Sequence, residues 1–345
     1  MGDRILNLGY IGNGKSANRY HIPFVLQRPD KFRVRTVWER HPGTSSWKYL
    51  DGVDYTGDLD AMLADPKIDI VVVCTPAMHY EYAKQALLAG KNVICEKPFT
   101  NTVAQARELF RLARERGLFL TTYQNRRFDS DYLTLKEVVA SGRLGEVYEI
   151  NEYYDYWRPE YPQMYTEKYG SDPHMGMVFA HGVHTVDQAI GWFGTPDKVH
   201  ADARQLLGSG GFNDCFDIDM KFGQVKYSVH GSYFRVKPRP SFTAYGTRGM
   251  FVKATQDRQE EFLKRFQMPS APGFGEDLPE HFGTLTWADN KGVLHEEKVP
   301  SVRGDYGRMY DNAYDVVVNG AEQEVKPEQT LAMLEILEQA VAGHE

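Results

Sequence analysis

Two short stretches of this chain carry residue types and spacings that invite chemistry. In Asn92-Val93-Ile94-Cys95-Glu96-Lys97-Pro98-Phe99 an apolar run stops abruptly at a charged turn. Upstream, Gly12-Asn13-Gly14-Lys15-Ser16-Ala17 follows another apolar run. In such a loop the first glycine, Gly12, makes a tight turn and the second, Gly14, lets the backbone approach a pyrophosphate. Ala17 supplies the small third residue, and a helix N-terminus beginning near Lys15 and Ser16 offers amide donors and a positive dipole end. Glu39, at the end of the second strand-like run, is placed to accept hydrogen bonds from an adenosine ribose. Arg40, beside it, would instead hold a 2′-phosphate, so NAD and NADP both stay open. At two further strand ends, Thr75 and Pro76 would border the nicotinamide ribose, Glu96 would accept bonds from it, and Lys97 would lie near the reacting carbon. A partly desolvated lysine beside a cationic ring titrates lower than usual, which suits general acid/base work.

The elements that must position these groups alternate. Ile5–Ile11, Val34–Glu39, Ile68–Cys74, Val93–Cys95 and Leu118–Tyr123 read as strands. Between them, 15–27, a short segment N-capped by Asp58, His79–Ala89 and Thr102–Arg116 read as helices. This predicts a doubly wound parallel Rossmann sheet over residues 1–122. After Tyr123 the pattern changes to period-two segments from Val147 to Val299, interrupted by a helix near 178–193. It predicts an α+β domain over 123–345 built on a large, mostly antiparallel open sheet. The closing helix, 327–342, is free to pack back on the first domain. Arg158–Met177, rich in proline and tyrosine, reads as a long loop. One sheet face must meet solvent or another copy of the chain, and an exposed aromatic face there would mark a homo-oligomer interface.

Composition excludes several classes. Lys and Arg total 40 against 47 Asp and Glu, a net charge of −7 that leaves no basic footprint for nucleic acid. No stretch approaches the roughly 18 consecutive apolar residues of a membrane span. The opening residues read as a first strand rather than a signal peptide. Three cysteines, an odd number without metal-ligand spacing, predict reduced thiols and a cytoplasmic protein. His174, His181, His184 and Asp187 show no convergent third ligand, so no metal is expected.

Taken together, these motifs resemble the Gfo/Idh/MocA oxidoreductases, the glucose–fructose oxidoreductase and inositol dehydrogenase family, over nearly the whole chain. The resemblance rests on Gly9–Gly14, His21-Ile22-Pro23, Val72–Pro76 with His79, Ala89–Val93 and Glu96-Lys97-Pro98. It extends to Tyr123-Gln124-Asn125-Arg126-Arg127-Phe128-Asp129 and Gly182–Gln188. The Asn-Arg-Arg-Phe-Asp and Tyr156-Trp157-Arg158-Pro159 segments are most similar to the scyllo-inositol-dehydrogenase-type and related uncharacterised bacterial branch. The resemblance implies hydride transfer between NAD or NADP and a sugar-, cyclitol- or polyol-like carbon. Lys97 would move the proton and His184 would bond the reacting oxygen; alcohol oxidation independently requires a base within hydrogen-bond reach. His79 and Gln124 join the implied cofactor set.

One position departs from that pattern. Many sugar-oxidising members carry an Asp four residues before the histidine, where this chain has Ala180. Either Lys97 and His184 suffice, or Tyr123 or Asp155 substitutes, or the substrate is not a typical sugar alcohol. Tyr123, Asn125, Arg126, Tyr156 and Arg158, with the 304–310 segment, are expected to meet the substrate, since arginines and tyrosines give directional bonds to hydroxyls or a carboxylate. Arg127 and Asp129 also suit an interdomain ion pair. Two rival functions share these motifs: redox-neutral glycoside hydrolysis with bound NAD, and a non-catalytic dinucleotide-dependent sensor.

Overall fold

The computed structural model describes residues 4–170, 172–207 and 212–342. The chain divides into two compact units, each discontinuous in sequence. Met1–Asn125, Glu260–Phe274 and Tyr306–Thr330 make the first; Arg126–Gln259, Gly275–Asp305 and Leu331–Glu345 make the second.

The first unit is a doubly wound parallel sheet. Its strands are β1 (Leu6–Ile11), β2 (Phe32–Trp38), β3 (Asp54–Thr56), β4 (Ile70–Val73), β5 (Asn92–Cys95) and β6 (Leu120–Thr122), in the order β3-β2-β1-β4-β5-β6. β4 is Ile-Val-Val-Val and wholly buried, as a strand covered on both faces must be. Ile11 pairs with Val73, Val73 with Cys95, and Cys95 with Thr122. That register sets the carboxyl ends of four strands side by side. Strand order reverses between β1 and β4, the place where open α/β sheets bind ligands. Helix Leu59–Ala64 starts as expected at Asp58, whose side chain accepts from Ala61 N at 2.9 Å.

The helix expected over 15–27 is not uniform. Ala17–His21 forms a turn of π-helix before Ile22–Val25 continues as α-helix. The segments returning from late in the sequence supply a satellite core: Phe24, Leu263, Phe274 and Tyr306 pack together, with Tyr20, Phe262 and Met268 against them.

The second unit carries the expected mostly antiparallel sheet. Its strands are β7 (Val147–Asp155), β8 (Lys198–Arg204), β9 (Cys215–Phe222), β10 (Val225–Ser232), β11 (Phe242–Gly246), β12 (Gly249–Lys253), β13 (Gly283–Ala288) and β14 (Leu294–Val299). The order is β14-β13-β12-β11-β7-β10-β9-β8, and only β7–β10 is a parallel pair. Helix Ser130–Ala140 packs on β11 and β12, and helix Val183–Phe193 on β10. The opposite face is mainly polar: Asp217, Asp219, Lys221, Lys226 and His230 alternate with buried neighbours, and Tyr153 stacks on His230 at 5.0 Å. The Arg158–Met177 stretch is not a plain loop. Tyr161–Tyr169 is an α-helix, started by a proline in its first turn, where the missing N–H costs nothing.

A buried ion pair holds the start of this unit. Arg127 meets Asp187 in a two-pronged contact, Nε to Oδ2 at 2.7 Å and Nη2 to Oδ1 at 2.8 Å, with both side chains almost wholly buried. Asp129 takes Arg126 at 3.2 Å. Arg127 lies so close over helix Val183–Phe193 that a Cβ at Gly191 would come within 2.8 Å of its guanidinium carbon. Gln188 adds one bond to the same turn and one to the next helix: its amide donates to Arg126 O, and its own carbonyl accepts from Tyr132 Oη, in helix Ser130–Ala140, at 2.8 Å. The helix that carries His184 is thereby pinned to the Asn125–Phe128 turn. Arg127→Leu should cost about 3–5 kcal/mol by chemical denaturation, because Asp187 is left buried and uncompensated. A loss under about 1 kcal/mol would remove the pair from this role.

Candidate active site

At the end of β1 the chain turns at Gly12, with φ of +113°, and a Cβ there would sit 3.3 Å from the Cys74 carbonyl. Glycine is required on both counts. At Gly14 an added Cβ would meet nothing within 4 Å, so this part of the loop faces open space. A cavity of about 480 Å³ lies here, walled by the glycine loop, by Trp38–His41, and by Cys74–Met78. Arg40 and His41 are exposed at its rim, whereas Glu39 is buried in its wall.

Glu39 is held on both oxygens. Oε1 accepts from Tyr49 Oη at 2.7 Å and from Gly43 N at 3.1 Å, and Oε2 from Asn13 Nδ2 at 3.3 Å. The segment after β2 therefore folds back onto the glycine loop, and Ser45 Oγ adds a bond to Asn13 O at 3.1 Å. Met78, in the cavity wall, adopts φ of +63°, an uncommon conformation for a residue with a side chain. Neither Tyr49 nor Ser45 stood out in the sequence, because their partners are set by a turn whose path has no motif.

At the ends of β4 and β5, His79 is a brace. One ring nitrogen lies 2.6 Å from Pro98 O and the other 2.7 Å from Thr75 O, so the two strand-end turns are tied to each other. Thr75 Oγ1 donates to Ala77 O at 2.7 Å. Lys97 is half-buried, next to Glu96, and the Lys97–Pro98 peptide is cis.

Glu96, like Glu39, accepts from three donors. His21 Nε2 is 3.0 Å from Oε1, Ser16 Oγ donates to the same oxygen, and Lys97 N donates to Oε2 at 3.0 Å. Burial pushes the group up, yet the hydrogen bond and charge of His21, with help from Ser16 and Lys97, overcome this and hold its pKa at about 2. Behind Glu96, His21 Nδ1 lies 2.7 Å from Tyr310 Oη, and Tyr310 Oη lies 3.3 Å from Tyr10 Oη. The His21 ring sits on Tyr123 with centroids 3.9 Å apart, and Tyr123 Oη donates to Tyr20 O. Tyr306 and Tyr310, expected to meet substrate, are wholly buried within the first unit.

Next along the sheet is Gln124, directly after β6. It is 1% exposed, and neither polar atom of its amide has a hydrogen-bond partner among the described residues. An amide buried in this way costs free energy until a ligand satisfies it. Together with the open side of Gly14, this unsatisfied amide fits a polar ligand at the strand ends.

In the second unit, His184 is buried in the first turn of helix Val183–Phe193, which comes directly after a π-helical turn, Val178–Gly182. Arg126 lies over the Tyr154 ring at 5.3 Å. Tyr156 belongs to a group of aromatic side chains around His181, with Tyr154 and His181 stacked at 5.1 Å and Tyr156 and His181 also 5.1 Å apart. His181 Nε2 lies 3.1 Å from Tyr233 Oη, and Arg158 stacks over Tyr156 at 4.2 Å. Tyr154, His181 and Tyr233 had no assigned role in the sequence; only the strand register of β7 brings them to one place. Asp155, one of the expected substitutes for the carboxylate missing at Ala180, is taken up by Arg239 at 2.8 and 2.9 Å. Among the described residues no group of three or more His, Cys, Asp or Glu could hold a metal, and no helix is long and apolar enough to cross a membrane.

A Rossmann-type sheet with a glycine loop, a buried carboxylate at the end of its second strand and a Glu-Lys-Pro turn, joined in sequence to an open-sheet unit, defines a dinucleotide-binding oxidoreductase. The chain belongs to the Gfo/Idh/MocA family: residues 6–124 match the oxidoreductase family with NAD-binding Rossmann fold, and residues 132–252 match the GFO/IDH/MocA C-terminal domain. It is 43% identical over 336 residues to the uncharacterized oxidoreductase YhhX of Escherichia coli K12, covering 97% of this chain and 95% of that one. It is 29% identical to the scyllo-inositol 2-dehydrogenase (NADP(+)) IolW of Bacillus subtilis over 97% of this chain and 93% of IolW. The crystal structure of an oxidoreductase from Bacillus cereus superposes with a TM-score of 0.88 at 40% identity, covering 98% of this chain and 96% of that one. The cofactor is accordingly a nicotinamide dinucleotide, NAD or NADP.

Proposed function

We propose that the protein oxidises or reduces a CH–OH carbon of a sugar-, cyclitol- or polyol-like substrate. The observation that carries this reading is the row of groups at four adjacent strand ends: the glycine loop, Thr75, Glu96-Lys97 and the unsatisfied Gln124 amide. IolW, whose name gives a cyclitol substrate, supports the substrate class.

Bound along these strand ends, the nicotinamide ring supplies or accepts the hydride. Gly12 and Gly14 admit the pyrophosphate to backbone amides, and Glu39 accepts from the adenosine ribose. Gln124 satisfies its own buried amide on the carboxamide. In the oxidative direction Lys97 Nζ takes the hydroxyl proton while the carbon loses hydride, so that a C=O bond forms. His184 hydrogen-bonds the same oxygen and steadies the charge that develops on it. In reduction the same lysine returns the proton. Asn125, Arg126, Tyr156 and Arg158 bind the remaining hydroxyls. With Asp155 committed to Arg239, Lys97 and His184 carry the proton transfer without a carboxylate at position 180.

Lys97→Ala should lower kcat by about 100-fold or more while NADH or NADPH binding, followed by nicotinamide fluorescence, stays within about threefold. Normal turnover by this variant over a polyol and sugar panel would sink the assignment. Glu39→Ser should move the ratio of NADP to NAD dissociation constants toward NADP by about tenfold, whichever the wild type prefers, because it removes a negative charge from the ribose wall. An unchanged ratio would take Glu39 out of cofactor recognition.

A further inference from the structure

We propose that His21 and Tyr310 are positioning residues of this site: they clamp the Glu96 carboxylate beside Lys97, an inference that rests on Lys97 being the proton carrier. Glu96 is 8% exposed and has little water to solvate it. Its Oε1 is instead served by His21 and Ser16, which leaves Oε2 for the backbone amide of Lys97. The clamp thus fixes the peptide from which the lysine side chain departs, and sets a negative charge next to that lysine.

An ionised carboxylate only accepts, so His21 Nε2 carries a proton and donates to it. Behind the ring, Nδ1 meets Tyr310 Oη at 2.7 Å and Tyr310 Oη meets Tyr10 Oη at 3.3 Å, which fixes the ring in its plane. Tyr10 and Tyr310 are wholly buried, and burial raises both phenols well above their usual pKa, so both stay protonated. Tyr310 comes from 289 residues beyond His21, on helix Arg308–Asn319. The groups facing Glu96 are His21 and Ser16 from the turn after β1, Cys74 from the end of β4, Cys95 from β5, and Lys97. Both thiols are pushed up by burial and stay neutral, so Glu96 supplies the negative charge among them.

The sign of the effect is fixed. Glu96 is held below its ordinary value, so losing the clamp lets it rise and protonate. Losing that charge makes the Lys97 ammonium a stronger acid. The test uses full-length wild type, Tyr310→Phe, His21→Leu and, as the conservative rescue that keeps an N–H donor, His21→Gln. Glu96 is titrated by carbon-13 NMR of glutamate-labelled protein without cofactor and assigned with Glu96→Gln. The rate is measured as kcat/KM against pH with the preferred dinucleotide. We expect the Glu96 midpoint to rise by about three units or more in His21→Leu, into the pH range over which the rate is measured, less in Tyr310→Phe, and to fall back in His21→Gln. In the reductive direction, where Lys97 gives up its proton, kcat should drop about tenfold in His21→Leu, with the basic limb of the profile displaced to lower pH and dinucleotide binding within about threefold. Should His21→Leu fail to fold, Tyr310→Phe removes a single hydroxyl and decides the matter in the same direction. An unmoved Glu96 titration and an unmoved limb in an active enzyme overturn the clamp alone. Wild-type protein that neither binds nor turns over with a dinucleotide overturns the hydride-transfer reading, and the clamp's part in catalysis with it.

Discussion

A carboxylate placed at the carboxyl end of a buried parallel strand must be satisfied by the protein, since water cannot reach it. Glu96 sets that condition here, and much of the first unit answers it. The turn after β1 delivers His21 and Ser16, and the backbone folds so that Lys97 N closes on the second oxygen. Even the helix at 308–319 is drawn in, because His21 needs Tyr310 behind it. The lysine at the Glu-Lys-Pro turn gains a fixed peptide and a fixed neighbouring charge from this arrangement.

The second unit meets a comparable demand with a different pair. Arg127 and Asp187 are both charged and both buried, and each offsets the cost of burying the other. Their contact determines where helix Val183–Phe193 lies on β10, and hence where His184 begins it. In both units a histidine of interest sits at a helix start next to a π-helical turn: His21 ends one, and His184 lies two residues after another. The extra residue in such a turn rotates the next stretch of helix about its axis, and such turns recur at functional positions.

The parallel sheet was legible because its strands are unbroken apolar runs bounded by glycines and prolines, and a run such as Ile70–Val73 has few other uses. The glycine loop, Glu39 and the Glu-Lys-Pro turn were legible because each sits at such a run's end. The π-helical turns were not, since an added residue in a helix leaves no mark on apolar spacing. The helix Tyr161–Tyr169 was hidden by Pro162, which reads as a loop residue unless its place in the first turn is known. Asp187 as a partner of Arg127 was not legible, because it is near only after the sheet and helix have formed. Tyr310 looked like a substrate residue and proved to be core, because an aromatic side chain reads alike in either setting.

The discontinuity of the first unit has an engineering consequence. Phe24 and His21, early in the chain, are covered by Phe274, Leu263, Tyr306 and Tyr310, all encoded after residue 259. The nucleotide-binding half is therefore not a portable module. Excised at residue 125 and fused elsewhere, it would expose an apolar seam and leave the histidine behind Glu96 without its phenol. A chimera that exchanges substrate units between relatives must keep the two returning segments with the sheet they cover, and cut the chain at several places instead of one.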